Sequence, residues 1–271
     1  MTITESTHTQ VSRSVRPAGM TEVVRSEWIK LWSVRSTIWT LISLVGLGAG
    51  LTVLICATTA DGIASGEAGE APGAFVTWGM LIAQVTAVVL GVLVVSNEYG
   101  SGMIRTTVAA TPHRGRVLLA KCVVLGAVLF VVGTATAVAG YFAANPFLDA
   151  EGVGVPLDGD GVIRALVGSG LYLAVLGVFA AALAFLVRHT AAAISIALAL
   201  IFVIGSLVVL IPGTAGEWIT NVMPGNAGGS VATVTNFNPN ALDPWTGFGV
   251  FCAETAALLG LGGARFLRRD V

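Results

Sequence analysis

Residues 96–116 read SNEYGSGMIRTTVAATPHRGR. Immediately before them, 74–95 read AFVTWGMLIAQVTAVVLGVLVV, and immediately after, 117–140 read VLLAKCVVLGAVLFVVGTATAVAG. A helix that crosses the hydrocarbon of a bilayer needs about 20 mostly apolar residues. Lipid offers the backbone no hydrogen-bond partners, so such runs are helical. A short, glycine-broken, basic segment between two of them reads as a loop joining two membrane helices.

The rest of the chain obeys the same pattern. Its 271 residues are 55% hydrophobic and only 11% charged, where soluble domains carry about 25% charged residues. So few charges cannot cover the apolar surface against water, and lipid must be the solvent for most of it. Six runs qualify as spans: 38–60, 74–96, 117–143, 163–187, 191–211 and 245–264. The expected fold is an all-α integral membrane protein with six transmembrane helices. The segment before the first run has no apolar core followed by a cleavage site, so that run reads as a retained span and not a signal peptide. Cys56, Cys122 and Cys252 lie within apolar runs, without metal or disulfide spacing, and read as small hydrophobic fillers. No metal role is assigned to the scattered histidines.

Lys and Arg in the loops set the orientation. With the N-terminus inside, every basic residue except Arg164 falls on the cytoplasmic side. The outer loops hold Asp61, Glu67, Glu70, Asp149, Glu151, Asp158, Asp160, Glu217 and Asp243. Both termini are therefore expected in the cytoplasm, and the protein in the cell membrane. Residues 1–19 read as a disordered cytoplasmic tail, and 20–271 as one six-span unit.

In the stretch MTEVVRSEWIKLWSVRS, residues 20–36, Met20, Val23, Val24, Trp28, Leu31 and Trp32 recur at helical spacing. Trp28 and Trp32 beside Lys30 suit the headgroup boundary, so an interfacial amphipathic helix is expected here. Residues 212–243 form the longest outer loop. Within it EWITNVM reads either as a short helix, resting on the outer leaflet through Trp218, Ile219, Val222 and Met223, or as unstructured surface.

The 97–116 loop is the main cytoplasmic feature, because the loop at 188–190 is minimal. Ser101 is placed to cap a short helix, Gly100 and Gly102 permit a sharp exit from the second span, and Pro112 stops the helix near Thr111. Met103, Ile104, Thr107 and Val108 form an apolar patch open to a partner. Read without a partner, the same loop only sets topology.

NEYGSGMIRTTVAATPHRGRVLLAK resembles the segment after the second span of type-2 ATP-binding cassette (ABC) exporter permeases. The matching residues are Glu98, Tyr99, Arg105, Pro112, Arg114, Ala120 and Lys121. The glycine is displaced, standing at 100 and 102. SEWIKLWSVRSTIW is similar to that family's interfacial elbow helix, and the six spans and long last outer loop agree. The resemblance implies a permease subunit that pairs with a second permease and with a cytoplasmic ABC ATPase. It also implies a coupling helix near 101–111, contacting the ATPase through Glu98, Tyr99, Ser101, Met103, Ile104, Arg105, Pro112 and Arg114. The sequence holds no GxxxxGK[ST] phosphate loop, so ATP and Mg²⁺ are expected on the ATPase and no cofactor on this chain. Glu98 and Arg105 are left two uses: pairing across a helix turn, or touching the ATPase.

Within the spans, Gln84 and Glu254 are possible intramembrane polar sites, though interhelical hydrogen bonding is the favoured reading of each. Small-residue pairs at Gly46/Gly50, Gly133/Ala137 and Thr136/Gly140 allow close helix approach. No catalytic motif is found, no HExxH and no GxSxG, which disfavours an intramembrane enzyme. Nothing points to nucleic acid. The alternative to a permease is a non-transporting membrane anchor or immunity protein that docks a cytoplasmic partner.

Overall fold

The structure, a computed structural model, describes residues 19–67, 71–110, 113–235 and 240–268. Pro112 and, except for Gly19, the 1–19 tail fall outside them. Within these residues the chain is all helical. The elements are α1 (Met20–Ser33), α2 (Arg35–Ala64), α3 (Met80–Gly100), α4 (Met103–Ala110), α5 (Arg114–Ala150), α6 (Val162–Val187), α7 (Thr190–Leu198), α8 (Gly205–Val208), α9 (Thr214–Val222), α10 (Pro224–Gly229) and α11 (Pro244–Arg268). A π-helical stretch, Ala199–Ile204, joins α7 to α8, so that Thr190–Val208 is one rod.

Six helices are long and apolar enough to cross a membrane: α2, α3, α5, α6, the Thr190–Val208 rod and α11. This makes the chain a multi-pass membrane protein. α6 is the central post. It packs on α3, α5, α7 and α11, and 67% of its most apolar window is buried, against 28% for α2, the rod and α11. Glycine makes the central crossings close. A Cβ on Gly91 of α3 would lie 2.3 Å from the Gly177 carbonyl oxygen of α6, and one on Gly170 of α6 would lie 2.5 Å from the Phe130 oxygen of α5. Backbones this near each other are the usual membrane solution, where dispersion and packing drive helix association. Gly133 and Gly140 are likewise consumed internally, against α6 and α2. Gly46 and Gly50 meet nothing within 4 Å; the glycine that seats α2 is Gly48, against Thr136 and Met80.

Within the long outer connection, residues 212–235 depart from a surface loop. α9 realises the short helix over EWITNVM, with Trp218 exposed. The chain then turns inward as α10 and a 3-10 turn, Ser230–Ala232, which pack on α6 and α11. Ala227, Val231 and Ala232 are buried. Gly225 seats against the Ile201 carbonyl in the π-helical stretch, and Gly228 against Phe251 and Tyr172.

Candidate functional site

α1 and α4 meet at one end of the bundle, where Lys30, Arg114, Lys121 and Arg188 also lie. α1 ends at Ser33, and a single extended residue, Val34, separates it from α2. Its first turn is closed by the Glu22 carboxylate, which accepts from the Gly19 N–H. The expected apolar face of α1 is divided. Val23 and Leu31 are buried, and Val23 packs with Val117 and Ala120 of α5. Trp28 and Trp32 remain 47% and 41% exposed, their rings 5.7 Å apart.

A group of four charges joins α1, α3 and α5: Glu27, Lys30, Glu98 and Lys121. Lys121 Nζ, four residues into the apolar run of α5, donates to Glu27 Oε2 at 2.6 Å, Glu98 Oε1 at 3.0 Å and the Val94 carbonyl at 3.2 Å. An ammonium has three donors, and all three are used. Lys30 Nζ donates to Glu27 Oε1 at 2.7 Å, Glu98 Oε1 at 3.1 Å and Thr107 Oγ1 of α4 at 3.2 Å. Two ammoniums thus alternate with two carboxylates, with no net charge. The Lys121, Glu27 and Glu98 side chains are at most 7% exposed, and Lys30 is 28% exposed. Burial pushes the Glu27 carboxyl up, but Lys121 and Lys30 outweigh it and hold the group below its ordinary value. Burial pulls Lys30 down, and its bonds to Glu27 and Glu98 more than restore it, so it stands above its ordinary value. A cavity of 430 Å³ opens beside the cluster, and Glu98 Oε2 is buried there without a hydrogen-bond partner among the described residues.

The geometry departs from the sequence reading at Ser101, Gly100, Ile104 and Lys30, and gives Glu98 partners that reading did not weigh. Glu98 is bound by Lys30 and Lys121 within its own chain; the Arg105 side chain falls outside the described residues. Ser101 does not cap α4: its hydroxyl donates to the Asn97 carbonyl at 2.7 Å and closes the end of α3. The sharp turn belongs to Gly102, at φ +72°, while Gly100 completes α3. Ile104 is 3% exposed and belongs to the core, whereas Met103 is 45% exposed; the Val108 side chain falls outside the described residues. Lys30 turns inward to the carboxylates and not to a headgroup layer.

Other sequence-selected residues brace the same end. The Arg188 guanidinium sits 5.4 Å from the Tyr99 ring centroid and donates to the Arg265 carbonyl at 3.3 Å. Arg114 donates to the Phe266 carbonyl at 3.1 Å. Gln84 and Glu254 are not joined by a hydrogen bond. The buried Gln84 Oε1 accepts from the Tyr172 hydroxyl, tying α3 to α6. Glu254 Oε2 has no partner among the described residues. The residue that sequence reasoning passed over is Glu27. Its signal was available: a carboxylate on the buried side of a helix adjoining a span needs a cation, and Lys121 is a cation in an apolar run.

In comparison with known proteins, no family model matches the chain and no curated protein matches it.

Proposed function

We propose that this chain is the permease subunit of an ATP-driven exporter, working with a second permease and with a separate cytoplasmic ABC ATPase. α4 is its coupling element, and the chain itself catalyses no reaction. The basic end is cytoplasmic, and the protein resides in the cell membrane. The observation that carries this reading is the mounting of α4. It is a two-turn helix hung between two membrane helices, with Met103 outward and Ile104 anchored in the core. Thr107 is gripped by Lys30, whose other partners lie on α1 and α3. A push on α4 therefore reaches α1, α3 and α5 through charged contacts, as rigid-body switching requires. The resemblance of 97–121 to type-2 ABC permeases supports the same assignment.

The test is co-purification with a P-loop ATPase encoded beside this chain. Met103→Glu places a charge on the outward face of α4 and is expected to abolish association while leaving membrane insertion intact. Undiminished association, with unchanged ATP hydrolysis, overturns the coupling role. The anchor reading predicts binding without substrate-stimulated hydrolysis, which separates it from export.

A further inference from the structure

At the opposite end of the bundle, α3, α6 and residues 209–233 and 240–242 line a cavity of 790 Å³. That is within the roughly 300–1,000 Å³ of drug-sized ligand sites. Its wall combines the Gln84–Tyr172 hydrogen-bonded pair with Trp78, with Met80 and Leu81 at the start of α3, and with Val209 and Ile211 just past α8. The charge of the lining is one-sided. Glu217 is its one ionisable acid, and no Lys, Arg or His is among the described lining residues. Arg164 does not line the cavity; its guanidinium donates to the carbonyls of Ser230, Val231 and Val234.

We infer that this cavity is a binding site for a drug-sized organic cation with an apolar body. Aromatic rings attract cations, and Trp78, 37% exposed, stands in the cavity wall. Glu217 adds a carboxylate, while an anion would meet that carboxylate with no basic group to offset it. The inference deepens the exporter reading by naming a substrate class, and it rests on that reading only for what happens after binding.

The experiment uses the full chain in zwitterionic lipid nanodiscs, without any ATPase. Its probes are tetraphenylphosphonium and tetraphenylborate, two ions of nearly the same shape and opposite charge. Equilibrium binding of the cation is expected to saturate at one per chain above a linear partitioning background; the anion is expected to show partitioning alone. A Cβ on Gly229, in the cavity wall, meets nothing within 4 Å, so a side chain there starts in open space, and Gly229→Leu is expected to weaken saturable binding about tenfold or more. Glu217→Gln, at an exposed position, is expected to weaken it about twofold to fivefold, the worth of an exposed charge pair. Linear uptake of both ions, equal saturable binding of both, or binding untouched by Gly229→Leu overturns the inference. Because no ATPase is present, that failure leaves the coupling assignment of α4 standing, and loss of ATPase association leaves this site standing.

Discussion

Replacing Lys121 by Met keeps an unbranched chain of similar reach and removes one charge from the buried cluster. Glu27 then loses its 2.6 Å partner and Glu98 its 3.0 Å partner, and both depend on Lys30 alone. Two carboxylates facing one ammonium leave a buried negative charge uncompensated. Removing one member of a buried ion pair costs about 3–5 kcal/mol, a large share of the roughly 5–15 kcal/mol that holds a typical fold. The control is a double-mutant cycle with Glu27→Gln. The double variant leaves Lys30 with Glu98 as a neutral pair, so it is expected to cost about 2 kcal/mol less than the two single changes summed. Equilibrium unfolding in mixed micelles, read by circular dichroism, measures all four species. A Lys121→Met cost below about 1 kcal/mol, or additivity within about 0.5 kcal/mol, would refute the claim that these charges act as one unit.

The shifts of Glu27 and Lys30 fix a pH window. Glu27, held below its ordinary 4.5, contributes stability that is complete above pH 4.5 and is lost as pH falls through its lower folded value. Lys30, held above 10.5, contributes stability that is complete below pH 10.5 and is lost as pH rises through its higher folded value. Thermal unfolding across pH is expected to show a plateau between those limits, and Glu27→Gln is expected to flatten its acid limb. Gly91→Leu, forced against the Gly177 carbonyl, is expected to destabilise by about 1–3 kcal/mol or more, whereas Gly46→Ala, in open space, stays within about 0.5 kcal/mol in the same unfolding assay. Lys30→Met removes the bond to Thr107, and amide exchange in α4 is expected to accelerate about twofold to tenfold, the worth of one such hydrogen bond; unchanged exchange would show that α4 is held by other contacts.

Lipid writes its demand plainly into sequence, and that is why the spans were legible. The fourth run, 163–187, matches α6 to one residue. The third was expected to end at 143, but α5 continues to Ala150 through Asn145, Pro146 and Asp149. Hydropathy reports where lipid contact ends, whereas a helix ends where its hydrogen-bond ladder does. α10 was illegible for the converse reason. PGNAGG has poor helix propensity and reads as turns, yet the missing side chains let it approach Ile201, Tyr172 and Phe251, and packing supplies what propensity withholds. On α4, neighbouring residues of a helix point in different directions, so Met103 and Ile104 could not both face a partner; only the seating of α4 decides which one does.

The charge cluster marks the boundary of what one sequence discloses. Glu27 and Lys121 stand 94 residues apart, and no periodicity joins them. Each is nevertheless improbable alone: a lysine inside an apolar run and a carboxylate on a buried helix face both need a partner of opposite sign where water is scarce. Such residues state a debt locally, and the fold names the creditor. Lys30 shows why the difference matters. On sequence it is one more basic residue facing the inner leaflet, and in the structure it joins α1, α3 and α4 by three bonds of 2.7–3.2 Å. A surface lysine could be exchanged freely, but this one ties α4 to α1 and α3.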